Sequence, residues 1–142
     1  MIYNILILII SYDVWFYISH IILHNYKLYS IIHKVHHGID YKIMNFKDTY
    51  VSHFFESPFQ GMGIFFPLMF LQFNMYVYLY TIILLNTRGM LRHDVNFIWL
   101  MGNHHILHHK YSQYNFGEYW LDKLFGTNYP NLDECKVGLI YM

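Results

Sequence analysis

Alanine does not occur in this chain, cysteine occurs once, and charged side chains make up only 13% of its 142 residues. Each shortage excludes something. Cys135 has no partner for an internal disulfide and no CxxC neighbour, so thiolate zinc sites and disulfide scaffolds are ruled out and the thiol fits a reducing compartment. Nine basic and nine acidic side chains cancel, and no Lys/Arg block interrupts the chain, so nucleic acid is not an expected partner. There is no Gly-rich nucleotide fingerprint, fixed repeat, Pro-rich linker or low-complexity tract. The missing alanine, beside abundant Ile, Tyr, Asn, Phe and Lys, points to AT-rich coding and lowers the information in any one Ile or Tyr.

What is there is grease and imidazole. Apolar residues reach 56%, above the usual globular level, and the length suits one domain spanning 1–142, so the composition predicts a membrane protein. A helical pattern over about 2–24 would be roughly 36 Å long, enough to cross a bilayer. It lacks the basic start and small-residue cleavage site of a signal peptide. A second apolar block over about 58–91 reads as a membrane hairpin turning near Asn74, with arms of roughly 24 Å that cross a thin membrane or dip most of the way. Lys27, Lys34, Lys42 and Lys47 before it, and Arg88, Arg92, Lys110 and Lys123 at its end and beyond, place 25–57 and 91–142 together on the cytosolic side. The predicted fold class is therefore all-α, an integral membrane helical bundle capped on its cytosolic face.

The eleven histidines are grouped: His20 and His24 in "DVWFYISHIILH", His33, His36 and His37 in "HKVHH", His53 in "HFFE", His93 in "RHDVNF", and "HHILHH" at 104–109. These boxes cover 20–53 and 93–109. On a helix Asp13, Tyr17, His20 and His24 fall within roughly 60° of one another, a polar stripe too costly to face lipid. The i, i+3, i+4 spacing puts His33, His36 and His37 on one face, and His105, His108 and His109 on another, while His104 points about 90° away. A lone histidine is usually a hydrogen-bonded bystander, but one HxxxH and two HxxHH boxes flanking a hairpin predict a metal site. With His104 set aside, ten candidates exceed the four ligands of a structural zinc and fit two metals of about five imidazoles each, which favours octahedrally inclined iron. Carboxylates should orient these rings from behind: Asp13, Glu56 and Asp94, with Glu118 and Asp122 as either helpers or solvated surface charges.

The series DxxxYxxHxxxH, HxxHH, HxxE, a lone His after a hydrophobic hairpin, HHxxHH and "NFGEYWLDKLFGT" resembles the fatty acid hydroxylase superfamily, which includes sterol desaturases, C-4 methylsterol oxidases and sphingolipid or fatty acid hydroxylases. The resemblance runs from about Asp13 to Thr127. It implies a non-haem centre of two Fe ions, with zinc able to substitute on purification, that uses O2 to hydroxylate or desaturate a lipid. By residue it implies ligation by His20, His24, His33, His36, His37, His105, His108 and His109, completed by His53 and His93, with Asp13, Tyr17, Glu56, Asp94 and His104 behind them. It further implies a separate electron donor of cytochrome b5 type or a reductase, and an endoplasmic-reticulum membrane location with the site facing the cytosol. The chain departs from the pattern at "HFFE" for HPxE, at "RHDVNF" for HSGY, and in beginning almost at the first box, so a second subunit is an expected route to enclosing the lipid. The segment after the boxes is expected to form a short helix burying Trp120, Leu121, Leu124 and Phe125, as a packed lid or a substrate contact. Two alternatives stay open beside this reading: a non-catalytic or decayed zinc-binding membrane protein, and a metal-dependent hydrolase or carrier. A carotenoid-ring hydroxylase is an alternative within the same chemistry.

Overall fold

An apolar run without Gly or Pro makes the longest element, α1 (Ile2–Leu23), 22 residues in the computed structural model, which describes residues 2–72 and 74–140. Met1, Phe73, Tyr141 and Met142, which fall in the expected membrane segments and the C-terminal cytosolic segment, lie outside the described residues. Among the described residues α1 is the one helix long and apolar enough to cross a membrane. Leu6, Ile10, Val14, Ile18 and Ile22 recur at i+4 spacing and are exposed, whereas Asp13, Phe16, Tyr17 and His20 are buried. This two-sidedness is what a helix at the edge of a bundle requires.

Asn25 ends α1 and caps the next helical run by accepting from the Lys27 amide. That run is α2 (Tyr26–Leu28), a π-turn (Tyr29–His33) and α3 (Lys34–His37). The chain then crosses a 3-10 turn (Phe46–Tyr50), closed at its start by an Asn45–Asp48 capping box. Where the sequence predicts two helical arms over 58–91, it forms a broken arm and one long helix. The broken arm is α4 (Glu56–Gly61) followed by 3-10 turns Met62–Ile64 and Phe66–Met69, and the long helix is α5 (Met75–Arg92), capped by Asn74. Gly63 explains the break. A Cβ there would lie 2.6 Å from Trp15 Cβ and 2.9 Å from Ser11 O, so the arm approaches α1 backbone to backbone. Ser11 Oγ donates to Gly63 O at 2.7 Å and Trp15 Nε1 to Phe59 O at 2.7 Å, sealing that approach. Leu8, Ile64, Val77 and Leu85 form the apolar core between the two long helices.

Charge also lies inside. Arg88 donates to both oxygens of Asp13 and lies 3.3 Å from Glu118, and Arg92 donates to Glu118 at 2.5 Å. Two cations and two carboxylates thus neutralise one another between α1, α5 and the segment after the histidine boxes. Arg88 and Arg92, counted above as flanking cations, are therefore structural, and Glu118 is 2% exposed, not a solvated charge. Beyond α5 come a 3-10 turn (Val95–Phe97), α6 (Ile98–Met101), α7 (His104–Tyr111), α8 (Tyr119–Phe125) and a final 3-10 turn (Leu132–Glu134). Two asparagines tie the tail back onto α7: Asn103 bonds Glu134 O and the Lys136 amide, and Asn115 bonds His104 O and the Tyr129 amide.

Candidate metal centre

The histidine boxes converge from α1, the π-turn, α3, the end of α5 and α7 into two groups of imidazoles. One holds His20, His24, His33, His37 and His108, the other His36, His93, His105 and His109, and within each group one nitrogen per ring lies within 4.8 Å of all the others. The two HxxHH boxes each serve both groups. His33 and His37 turn to the first and His36 to the second; His108 turns to the first and His105 and His109 to the second. The π-turn, a widening of the helix often found at functional sites, ends at His33, where the first box begins.

The orientation of the rings is set from outside. In the five-ring group His20 Nδ1 donates to Phe116 O at 2.5 Å, His108 Nδ1 to Tyr114 O at 2.6 Å, and His33 Nδ1 to Glu56 Oε1 at 2.9 Å. In the four-ring group His93 Nδ1 donates to Gly89 O at 2.7 Å and His36 Nδ1 to Val51 O at 3.1 Å. A carbonyl can only accept, so the four bonds to Phe116 O, Tyr114 O, Gly89 O and Val51 O fix the Nδ1–H tautomer of His20, His108, His93 and His36 and leave a lone pair on Nε2. The inward Nε2 atoms then crowd: His20 to His33 2.9 Å, His37 to His108 3.0 Å, His36 to His93 3.1 Å, and His93 to His105 2.9 Å.

For His36 and His93 this has one consequence. Both spend their proton on a carbonyl, so their facing nitrogens have none to share. Double protonation is opposed, because burial holds His36 below its ordinary value and His93 well below it. Two buried lone pairs 3.1 Å apart repel unless a cation lies between them. Burial likewise pushes His33 down to about 4 and, with the neighbouring rings, His37 down to about 2, and it holds His105, His108 and His109 well below the usual range. His105 Nδ1 and both nitrogens of His109 are buried without a hydrogen-bond partner, each omission costing about 1–3 kcal/mol. Metal–imidazole bonds of about 2.0–2.1 Å give neighbouring ligands about 3.0 Å apart at right angles and about 3.4 Å apart in a tetrahedron. The closest observed spacings of 2.9 to 3.1 Å are within reach of ligands that share one ion, so the donor set fits a divalent metal in each group.

Nine of the ten rings expected as ligands are in the two groups. His53 is not among them; its Nδ1 accepts the Phe55 amide and its ring lies against Phe54. Of the carboxylates expected behind the rings, Glu56 bonds His33 of the five-ring group, and burial pushes it up to about 7. Asp13 holds Arg88. Asp94 caps the turn after α5 through Asn96 and accepts the Phe46 amide. Tyr17 reaches Thr127 Oγ1 at 3.1 Å, not a ring. His104 is buried outside both groups with Nε2 3.0 Å from Asp122 Oδ2.

Asp122 itself is fully buried. It accepts from the Phe116 and Gly117 amides and from Thr127 Oγ1. These bonds shape the turn that presents the Tyr114 and Phe116 carbonyls to His108 and His20. They also turn α8 so that Leu121 and Asp122 face inward while Trp120, Leu124 and Phe125 stay exposed, in place of the expected apolar packing side. The segment is a bracket for two rings of the five-ring group.

A cavity of about 610 Å³ opens beside the rings, lined by His20, His36, His93 and His105, by Phe16 of α1, and by a stripe of α5 from Tyr78 to Arg92. Three of its four histidines belong to the four-ring group.

The model of one family, described as fatty acid hydroxylase, matches residues 5–127. No curated protein and no solved structure matches the chain. The match spans most of the sequence and includes all nine grouped rings, Glu56, Asp122 and Thr127, and the chain belongs to the fatty acid hydroxylase family.

Proposed function

From membership of the fatty acid hydroxylase family and from the paired ring groups, we propose that this protein is an O2-dependent membrane lipid oxidase holding two irons, which hydroxylates or desaturates a lipid. The observation that carries the reading is the pair of buried, facing lone pairs on His36 and His93, both lining a cavity of about 610 Å³. His20, His24, His33, His37 and His108 would hold one metal, and His36, His93, His105 and His109 the other. His53, outside both groups, is not assigned a metal.

When bound, the metal pair supplies O2 activation and electron transfer, chemistry for which protein side chains have no equivalent. In hydroxylation a C–H bond, one O2, two electrons and two protons give a C–OH bond and one water. The electrons come from a separate redox protein, of cytochrome b5 type or a reductase. The chain's own part is to orient and to exclude water. Carbonyls at Val51, Gly89, Tyr114 and Phe116 fix the ring tautomers, the Glu56 carboxyl holds His33, and burial keeps the rings neutral and ready to ligate. Phe16, Ile64 and Leu85 in the cavity wall keep the reacting carbon dry.

α1 crosses an endoplasmic-reticulum membrane in this reading, with the ring groups on the cytosolic side, and its exposed Ile/Leu/Val stripe meets lipid. The test is aerobic incubation of iron-loaded protein with an electron donor and a lipid extract. New hydroxylated or desaturated products that disappear in His93→Ala support it. Tightly held zinc with no oxygen consumption and no product refutes it in favour of a zinc-binding membrane protein.

A further inference from the structure

Of the three grouped rings that α7 carries, two have nothing polar to aim them. His108 Nδ1 donates to Tyr114 O, but His105 Nδ1 and both nitrogens of His109 are buried without a hydrogen-bond partner. The His109 ring lies against the rings of His36, His37, His93 and His105, and so touches other ligands rather than a support. With no acceptor behind them, His105 and His109 point where the helix points. Whatever fixes the placement of α7 therefore fixes two of the four rings of the four-ring group.

The stretch after Thr127 grips that helix at both ends. Asn103 stands at the capping position of α7, yet its side chain makes no bond to its own helix, where an asparagine ordinarily would. It is spent on the tail. Its Nδ2 donates to Glu134 O at 2.8 Å, its Oδ1 accepts the Lys136 amide at 2.7 Å, and its own amide donates to Lys136 O at 3.1 Å. At the other end of α7 the Glu134 carboxylate accepts from Lys110 Nζ at 2.6 Å and from the Tyr111 hydroxyl at 2.9 Å. Tyr129, whose ring stacks on Tyr111 with centroids 4.4 Å apart, donates to the same carboxylate at 3.1 Å. Glu134 thus spans a helix of eight residues, roughly 12 Å long, with its carbonyl at one end and its carboxylate at the other.

The hold is polar, not apolar. Leu132, Val137, Leu139 and Ile140 are between 65% and 76% exposed, so little hydrophobic burial keeps the tail in place. The Leu139 and Ile140 amides donate to Trp99 O and Leu100 O, each at 3.0 Å. A Cβ at Gly138 would overlap Gly102 N and Leu100 O, so only glycine lets the tail lie this close to the joint of α6 and α7. The Lys110–Glu134 pair is about one-third exposed on both sides, and a pair so exposed adds little to global stability. Its consequence is placement.

We infer that Glu134 is a positioning residue for the metal centre, a strut from the tail that sets the angle at which His105 and His109 meet the ion of the four-ring group. The inference rests on the two-metal reading above and extends the centre to a residue beyond 5–127, the stretch that the family model matches. Glu134 touches no ring and acts through α7. The five-ring group depends on it less, since α7 gives that group His108 alone, which Tyr114 O already holds.

Cobalt(II) titration of the full-length, metal-free chain in micelles tests this without turnover, because the visible absorption of bound cobalt reports the geometry of its ligands. Two ions bind, and the step that His93→Ala removes belongs to the four-ring group. Glu134→Ala weakens that step about tenfold or more and shifts its absorption, while the five-ring step changes less than about threefold. Glu134→Gln, which keeps an oxygen for the Tyr111 and Tyr129 hydroxyls, recovers most of the affinity. Asn103→Ala cuts the other end of the strut and gives a loss of similar size in the same step. The double variant loses little more than either single one, because a strut freed at one end already transmits nothing. Should Glu134→Ala not fold, Tyr111→Phe, which keeps the stacked ring and removes only its hydroxyl, shows a smaller loss in the same step. A lowered melting temperature with both cobalt steps and their absorption unchanged, or a loss confined to the five-ring step, overturns the inference. Fewer than two cobalt ions on the unaltered chain counts against the two-metal reading instead, and the response of the remaining ion to Glu134→Ala still decides whether the strut aims a ligand.

Discussion

The five-ring and four-ring groups are built from the same boxes but are held differently. In the five-ring group three rings are fixed through Nδ1 by Phe116 O, Tyr114 O and Glu56, and Ser112 Oγ lies 3.4 Å from a fourth, His37. In the four-ring group Val51 O and Gly89 O hold two rings, while His105 Nδ1 and both His109 nitrogens have no partner. Three of the four also face the cavity. The difference suits a division of labour in the proposed function: the well-supported group, with a ring to spare, would retain its metal, and the less supported group beside the cavity would leave a position open for oxygen and substrate.

The largest expected effect breaks the symmetry outright. His93→Ala leaves three rings in its group and lowers the metal content from about two ions per chain to about one, with activity at background, because a closed site needs about four protein ligands. His24→Ala leaves four rings in the other group and keeps most of both metals. Elemental analysis of the two variants decides the comparison, and equal metal loss in both contradicts it.

Next in size is Arg92→Ala. It removes the cation that donates to the buried Glu118 at 2.5 Å, leaving Arg88 at 3.3 Å, and destabilises the fold by up to about 3–5 kcal/mol. The Arg92→Leu, Glu118→Leu double variant recovers much of that loss in denaturant melts. Full additivity of the two single changes would show that the pair is not coupled.

Acid is the third lever. The folded-state pKa of His33 lies near 4 and that of His37 near 2, both below the ordinary 6.5. The unfolded chain therefore binds protons that the fold refuses. Stability is fully present above pH 6.5 and is lost as pH falls from there toward 4 and below, about 3 kcal/mol for His33 alone over that window. Metal-free protein shows this slope in thermal melts, and metal-loaded protein shows a flatter one down to the pH at which the ions leave. A metal-free melting temperature that rises on acidification would contradict the burial of neutral rings.

How much of this was legible beforehand depends on which atoms did the work. The rings were legible because HxxHH and HxxxH spacings are local helical geometry, and His104 was separable from its box by the same geometry. Their partition was not, since sending His36 one way and His33 and His37 the other depends on where α1, α5 and α7 stand around the first box. The supports were legible only at Glu56, for a different reason. Four of the five Nδ1 protons with short partners go to backbone carbonyls, which no residue letter announces, whereas Asp13 and Asp94, expected behind the rings, satisfy Arg88 and a turn. Asp122 was visible only as one acidic residue in an amphipathic stretch; the signal that could have raised it is its spacing of five residues from Gly117 and from Thr127, the loop it closes. The all-helical class followed from composition and periodicity, but the break in the arm after Glu56 turned on Gly63 and its contact with Trp15.

Two smaller effects sharpen the account of the supports. Glu56→Ala removes the acceptor behind His33 and weakens the metal of the five-ring group by about 10–100-fold in chelator competition, leaving the four-ring metal nearly unchanged. A loss confined to the four-ring group would reassign Glu56. His104→Ala, whose ring lies outside both groups, retains both metals and loses only its bond to Asp122; metal loss as severe as in His93→Ala would place His104 among the ligands.

The central claim is that one chain holds two metals in unequal imidazole environments. Mössbauer spectroscopy of anaerobically prepared protein carrying the ⁵⁷Fe isotope tests it most directly. The account predicts two iron signals of equal area, one of which alone shifts when the lipid substrate is added. A single iron per chain, or two signals that respond alike, would contradict it.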